Sequence, residues 1–217
     1  MYMRKMIITL CLALSASLVS KGQEDWKLKV NKEGIEIYTK PSILNAKLKA
    51  IKVRCELPAT LSQLVYIVLD VNSGADWVYS TKSSTLLKQV SPAEVIYYSE
   101  VALPWPCSNR DFIAHLTAKQ DPRTRVVTID GPTIDGMVPE KKNIVRVSKS
   151  SGKWIITPLP NKAVRIDYTL ETDPGGSLPS WLVNLFVTKG PLETFRKLKE
   201  QVAKPAYRNV KLPFIVE

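Results

Sequence analysis

The sequence predicts an α+β fold: a curved antiparallel β-sheet wrapped around a long C-terminal α-helix, with an internal hydrophobic cavity between them. Two observations carry this. From residue 26 to 171 the chain alternates apolar and polar residues in short runs, broken by Pro, Gly, Asn or Ser, which is the pattern of half-wet strands. From Leu178 to about Val202 the period changes to that of a helix, with one apolar stripe. A sheet with one apolar face needs a cover, and this helix is the obvious candidate.

The elements follow in order. In "WKLKVNKEGIEIYTK", Ile35 and Ile37 alternate with Glu36 and Tyr38 after a turn at Gly34. In "AKLKAIKVRCEL" the apolar phase slips near Ala50 and Ile51, which predicts a bulge. Leu61, Leu64, Val65, Val68 and Leu69 recur at helical spacing after Thr60, a good N-cap; this short helix is expected to end near Asn72-Ser73-Gly74. Strands resume through "TLLKQV", "EVIYYSEVAL", "DFIAHLTAKQ", "RVVTIDG", "NIVRVS", "KWIITPL" and "AVRIDYTLET". The last is the cleanest: Val164, Ile166, Tyr168 and Leu170 share a face, and Arg165, Asp167, Thr169 and Glu171 share the other. The loop "GPTIDGMVP" keeps Ile134, Met137 and Val138, residues that a loop retains when it packs onto something. "DPGG" turns the chain into the final helix, where Leu178, Leu182, Leu185, Leu192, Phe195, Leu198 and Val202 form the stripe, Ser177 is the expected cap, and Gly190-Pro191 implies a kink.

The 217 residues suit a single domain after a leader. Arg4 and Lys5, an apolar run from Met6 to Val19, and Ser20 and Gly22 before Gln23 have the organisation of a signal peptide over residues 1–22. The run is too short to span a bilayer, and Leu10 before Cys11 does not suit a lipoprotein site. The expectation is therefore an exported protein, periplasmic or secreted, with one domain over 23–217. The formal charge of +11 falls to +8 on loss of Arg4, Lys5 and Lys21. The lysines are spread along strands and loops, so the excess points away from nucleic acid. It fits contact with an anionic membrane surface better, beside the plain reading of a basic solvated surface. Cys55 and Cys107 remain in the mature chain, either as one disulfide or as two thiols.

Catalytic patterns are scarce. His115 is the only histidine, and it sits mid-strand among Ile113 and Thr117. No zinc spacing or phosphate-binding glycine loop is present, and no metal or cofactor is expected. Arg110 and Asp111 are adjacent on a strand after the stiff Pro104-Trp105-Pro106 break, so one of them must face inward or lie at the rim.

"ALPWPCSNRDFI", "GMVPEKKNIVRV", "GKWIITPL" and "YTLETDPGGSLPSWLVN" resemble, in order and spacing, the START domains, the steroidogenic-acute-regulatory-related lipid transfer family. The resemblance covers roughly residues 26 to 205. It implies a helix-grip fold enclosing a tunnel for one hydrophobic ligand such as a sterol, phospholipid or ceramide. It also implies that the Met137 loop acts as a lid near the mouth. Sterol-binding members often place an acid and an arginine inside; Glu100 lies on the acid's strand, but Leu116 stands where the arginine would be.

The reading is thus a non-catalytic, monomeric binder or carrier of a lipid-like molecule. Trp77, Tyr98, Phe112, Leu116, Ile166, Tyr168, Leu182 and Leu185 are the expected ligand wall, and Glu100 and Arg110 the polar contacts. The alternatives are an enzyme acting on a hydrophobic substrate in the same cavity, and an envelope interaction protein with a filled core.

Overall fold

A computed structural model describes residues 26–44 and 48–217. The expected leader and its expected cleavage site lie outside the described residues. Ten strands form one sheet in the order β1-β2-β3-β10-β9-β7-β6-β5-β4, with β8 beside β6. Their ranges are β1 Lys27–Lys32, β2 Ile35–Pro41, β3 Lys49–Leu57, β4 Thr81–Ser91 and β5 Glu94–Val101. The rest are β6 Asn109–Gln120, β7 Val127–Pro132, β8 Ile144–Arg146, β9 Lys149–Leu159 and β10 Ala163–Asp173. All pairings are antiparallel except β6 with β8, which is parallel. The chain reaches β8 through the long loop after β7 rather than a hairpin, so it arrives running the same way as β6.

The predicted bulge at Ala50 and Ile51 is absent. Both pair in unbroken register, Ile51 with Thr39 and Leu170, and Ala50 with Lys40. The phase slip arises because both residues are buried, one on each face. The irregularity near the N-terminus is instead in β1, between Leu28 and Val30. Glu33 and Gly34 both take positive φ at the β1–β2 turn, the left-handed pair that a tight hairpin demands.

The first helix, α1 (Leu61–Leu69), starts as expected. Thr60 Oγ1 accepts the Gln63 amide at 3.2 Å, and Gln63 returns a contact to the Thr60 amide, closing a capping box. The chain then makes a 3₁₀ turn over Val71–Ser73 and a one-turn helix α2 (Gly74–Trp77), so helical structure runs slightly past the predicted end.

The C-terminal helix is two helices, α3 (Ser180–Val187) and α4 (Lys189–Ala203). The break falls at Thr188 (φ −127°, ψ −67°), just upstream of the expected kink. Pro191 cannot donate to the Val187 carbonyl and its ring crowds that oxygen, so the ladder fails one turn before the proline. Pro179, not Ser177, occupies the N-cap of α3, and no side chain caps it.

Leu192, Phe195, Leu198 and Val202 of α4 are buried against the sheet and α1, joining Ile35, Ile37, Val53, Leu64, Val65 and Ile156 in the main core. A separate small core, Ile96, Tyr98 and Ile113, lies on the back of the sheet. Cys55 and Cys107 are free thiols. Among the described residues no helix is long and apolar enough to cross a membrane.

Candidate functional site

Between the sheet and the helices α3 and α4 lies a cavity of about 370 Å³. Strand alternation decides what faces it. On β6 the inward residues are Arg110, Phe112, Ala114 and Leu116. Cross-strand partners share a face, so the pairing of Ser99 with Phe112 and Tyr97 with Ala114 turns Tyr97, Ser99 and Val101 of β5 inward as well. Gly152 and Trp154 of β9 and Tyr168, Leu170 and Thr172 of β10 complete the floor. The helical wall is Trp77 from α2, Leu182, Val183, Phe186 and Val187 from α3, and Thr194 and Phe195 from α4.

Glycines make room where the floor is crowded. A Cβ on Gly131 would lie 2.6 Å from Leu116 Cδ2, and one on Gly152 would lie 3.3 Å from the Tyr168 hydroxyl. At the inner end, Trp154 meets Trp77 edge-on at 6.3 Å between ring centroids, Tyr168 at 4.5 Å and Phe195 at 5.6 Å. Tyr97 meets Phe112 edge-on at 5.7 Å. Few polar groups enter this space. Burial pushes the Tyr97 phenol up to about 12 and raises that of Tyr168 as well, so both are neutral donors or acceptors at physiological pH. The Trp77 indole N–H is buried with no acceptor among the described residues.

The expected site residues divide. Trp77, Arg110, Phe112, Leu116, Tyr168 and Leu182 line the cavity. Ile166 shares Tyr168's face but is sealed in the core, paired with Cys55 and Ile156. Leu185 is only half-buried and off the lining, because α3 presents 182, 183, 186 and 187, and residue 185 is rotated away.

Tyr98 and Glu100 are on the opposite face of the sheet. The Tyr98 hydroxyl donates to Asp111 Oδ2 at 3.0 Å, and Lys141 Nζ sits 4.4 Å over its ring. Glu100 Oε1 accepts from Lys82 Nζ and Asn109 Nδ2, each at 2.8 Å. The Lys82 ammonium, and then Asn109, hold its carboxyl below the ordinary glutamate value. The lid residues are also corrected. Ile134 and Val138 pack on Tyr98 and Ile113 behind the sheet, and Met137 is exposed. Of that stretch only Gly131 and Thr133, at its start, reach the cavity; Val147, beyond β8, joins them. Tyr97, Ser99, Trp154 and Phe186 belong to the lining but not to the expected set. Trp154 was within reach of the alternation in "KWIITPL"; the others needed the β5–β6 register and the rotation of α3.

Arg110 and Asp111 separate as strand geometry requires. Asp111 points backwards and takes Arg146 in a fork, Nε to Oδ1 at 2.7 Å and Nη2 to Oδ2 at 3.1 Å. Arg110 points inward and holds the turn after β10, donating to the carbonyls of Pro174 (3.1 Å) and Gly175 (2.9 Å), and to that of Ser108 (2.6 Å). Gly175 and Gly176 take φ of +65° and +64°, and Asp173 Oδ1 accepts the Gly175 amide. "DPGG" is therefore a clamped corner that aims α3 across the cavity. His115 is on the back face, its Nε2 2.6 Å from Glu94 Oε1. Among the described residues no cluster of three or more potential metal ligands occurs.

Comparison with known proteins agrees with this architecture. A STAR-related lipid transfer protein fragment from Xanthomonas axonopodis superposes with a TM-score of 0.74 at 28% identity, covering 82% of this chain and 99% of that one. An uncharacterised protein of Pseudomonas aeruginosa is 33% identical over 187 residues, 83% of this chain and 88% of the other. The mouse phosphatidylcholine transfer protein is 30% identical over 174 residues, 76% of this chain and 78% of the other. The sequence model of the START domain matches residues 10–206, nearly the whole chain. With the ten-stranded sheet gripping its C-terminal helices, the chain belongs to the START domain family.

Proposed function

We propose that this protein is a non-catalytic carrier that binds one lipid-like molecule in the cavity and moves it between membranes. The observation that carries this is the apolar cavity itself, about 370 Å³ and walled by aromatic and aliphatic side chains. That size lies within the ordinary range for small-molecule sites, and a few polar groups at its edge suffice to orient a ligand. Burial of a tail would contribute about 25 cal/mol for each Å² removed from water. Related proteins that are named for lipid or phosphatidylcholine transfer support the ligand class. Phe112, Leu116, Tyr168, Leu182 and Trp77 are the proposed wall, with Tyr97 and Trp154 added to them. Native mass spectrometry of protein purified from its own host tests the reading: it expects a bound lipid, and a ligand-free chain that takes up no lipid from vesicles overturns it.

Delivery needs a membrane contact, and one rim suits it. The ends of β2, β5, β7 and β10 and the starts of β3, β6 and β9 lie together at one edge, where Leu103, Arg110 and Pro174 border the cavity. The loops there expose Trp105 (91%), Ile43 (82%) and Met137 (43%), and the first turn of α3 exposes Trp181 (54%). Lys49, Lys82, Lys142 and Lys149 are exposed among them. Aromatic residues favour the membrane interface and lysines favour anionic headgroups. Joint Trp105→Ala and Trp181→Ala replacement should weaken sedimentation with anionic vesicles several-fold and leave the fold intact; unchanged sedimentation would exclude this rim. We propose further that the leader over residues 1–22 directs export, and that the carrier acts as a monomer. Mass spectrometry of the mature protein should find an N-terminus at Gln23, and an intact Met1 would reject export.

A further inference from the structure

The cavity face holds one full charge without a counter-charge. Arg110 is only 7% exposed, yet its partners are the neutral carbonyls of Ser108, Pro174 and Gly175. No carboxylate among the described residues lies within ion-pair distance of it, whereas Arg146, whose side chain is 8% exposed, is neutralised by Asp111. Carbonyl dipoles satisfy some N–H groups and leave the net charge in place. A guanidinium has more N–H groups than these three bonds use, and it stays protonated in proteins. Burial draws its pKa down from the ordinary arginine value, the sign expected of a cation held away from water. Among the described residues the other cation on the lining is Lys49, at the same rim. The one lining carboxylate, Asp70, stands at the end of α1 and accepts the Tyr207 hydroxyl at 3.0 Å. Deeper in, the buried polar atom left without a partner is again a donor, the Trp77 indole N–H. A ligand that completes this cavity brings acceptors, and at the rim it brings a negative charge.

We propose that Arg110 is the head-group site of the cavity. The ligand carries an acidic group, a carboxylate or a phosphate, that seats on the spare N–H edge of the guanidinium, while its tail runs inward past Phe112 and Leu116 towards Trp154. A charge-assisted contact of this kind is about twice as strong as a neutral one. It makes Arg110 both the clamp of the β10–α3 corner and the sensor of what fills the cavity. The inference rests on the lipid-carrier reading and adds the head-group charge to it.

The test is a matched-tail comparison on the delipidated full chain, at neutral pH and below micellar concentrations. cis-Parinaric acid is compared directly with its methyl ester, and lysophosphatidic acid with the monoglyceride of the same chain. Each acid is expected to bind at least tenfold more tightly than its neutral twin, and the stronger pair identifies carboxylate or phosphate as the source. Arg110→Gln should bring each acid-to-neutral ratio to about one, and a preference that survives in the folded variant overturns the site. Should this variant not fold, the wild-type ratios still decide. Equal affinity within each pair overturns the head-group site and leaves the carrier reading standing. Failure of all four to bind overturns the carrier reading, and this inference with it.

Discussion

On β6 a cation and an anion stand side by side, and the strand sends them to opposite faces of the sheet. Asp111, on the back, meets Arg146 in a fork and the Tyr98 hydroxyl besides, under a roof of Ile134 and Val138. Arg110, on the cavity side, meets only carbonyls. Around Asp111 the back face is closed upon itself: the carboxylates of Asp111 and Glu100 are met by Arg146 and Lys82, and Ile96, Tyr98 and Ile113 pack with Ile134 and Val138. The cavity face keeps apolar surface uncovered and donors unspent. The difference teaches where stability and function reside. Stability is concentrated where the protein satisfies its own groups, and binding capacity where it does not.

This contrast can be broken by substitution. The largest effect is expected at Asp111. Asp111→Ala strips Arg146 of its carboxylate in a site that is 8% exposed, leaving a buried charge uncompensated. Loss of one partner from such a pair costs about 3–5 kcal/mol. Urea unfolding should show that loss, and a change below about 1 kcal/mol would mean that the back face is not sealed.

A smaller effect, on binding rather than stability, is expected from Leu170 and Thr169. They are consecutive on β10; Leu170 faces the cavity and Thr169 faces away. Leu170→Trp fills the space and should lower lipid uptake about tenfold, roughly 1.4 kcal/mol. Thr169→Trp should leave uptake unchanged. Equal losses from both would show that the cavity does not set affinity.

The smallest effect is a pH dependence at Glu100. Lys82, and then Asn109, hold its carboxyl below the ordinary value of 4.5. The folded protein therefore binds that proton less readily than the unfolded chain. The contribution is present above the ordinary glutamate range and is lost as pH falls through the lowered folded value. Because Lys82 is 58% exposed, it is worth about 1 kcal/mol or less. Glu100→Gln should flatten the acid limb of thermal stability by that amount. An unaltered limb would show that Glu100 carries none of it.

Much of the fold was legible in the chain. Alternation marked most of the strands, and Thr60 marked the start of α1. Pro191 marked a break in the last helix, although the break itself falls at Thr188. The strand β8 was legible in "NIVRVS", but its parallel pairing with β6 was not, since its partners lie more than thirty residues earlier. The candidate site was about half legible. Phe112 and Leu116 were separable from Ile113 and His115 by parity within one strand, but Tyr97 was not separable from Tyr98. Both are aromatic neighbours on β5, and only the pairing of Ser99 with Phe112 decides which one faces the cavity. A slip of one residue would exchange the two faces. Glu100 follows the same logic: it shares Tyr98's parity, so it is a back-face residue held by Lys82 and Asn109 rather than a cavity acid.

The sequence by itself determined what is local: strand against helix, the capped and broken ends of helices, and the glycine turn that ends β10. These follow from backbone sterics and from side-chain period over a few residues. Only the tertiary structure decided which face of each strand looks at the helices and how α3 is rotated over them. It also decided that the hydrophobic loop after β7 packs behind the sheet instead of over the cavity. Those outcomes depend on register between strands distant in the chain. The energy that sets register comes from packing two faces at once, and that is not written in any single stretch of residues.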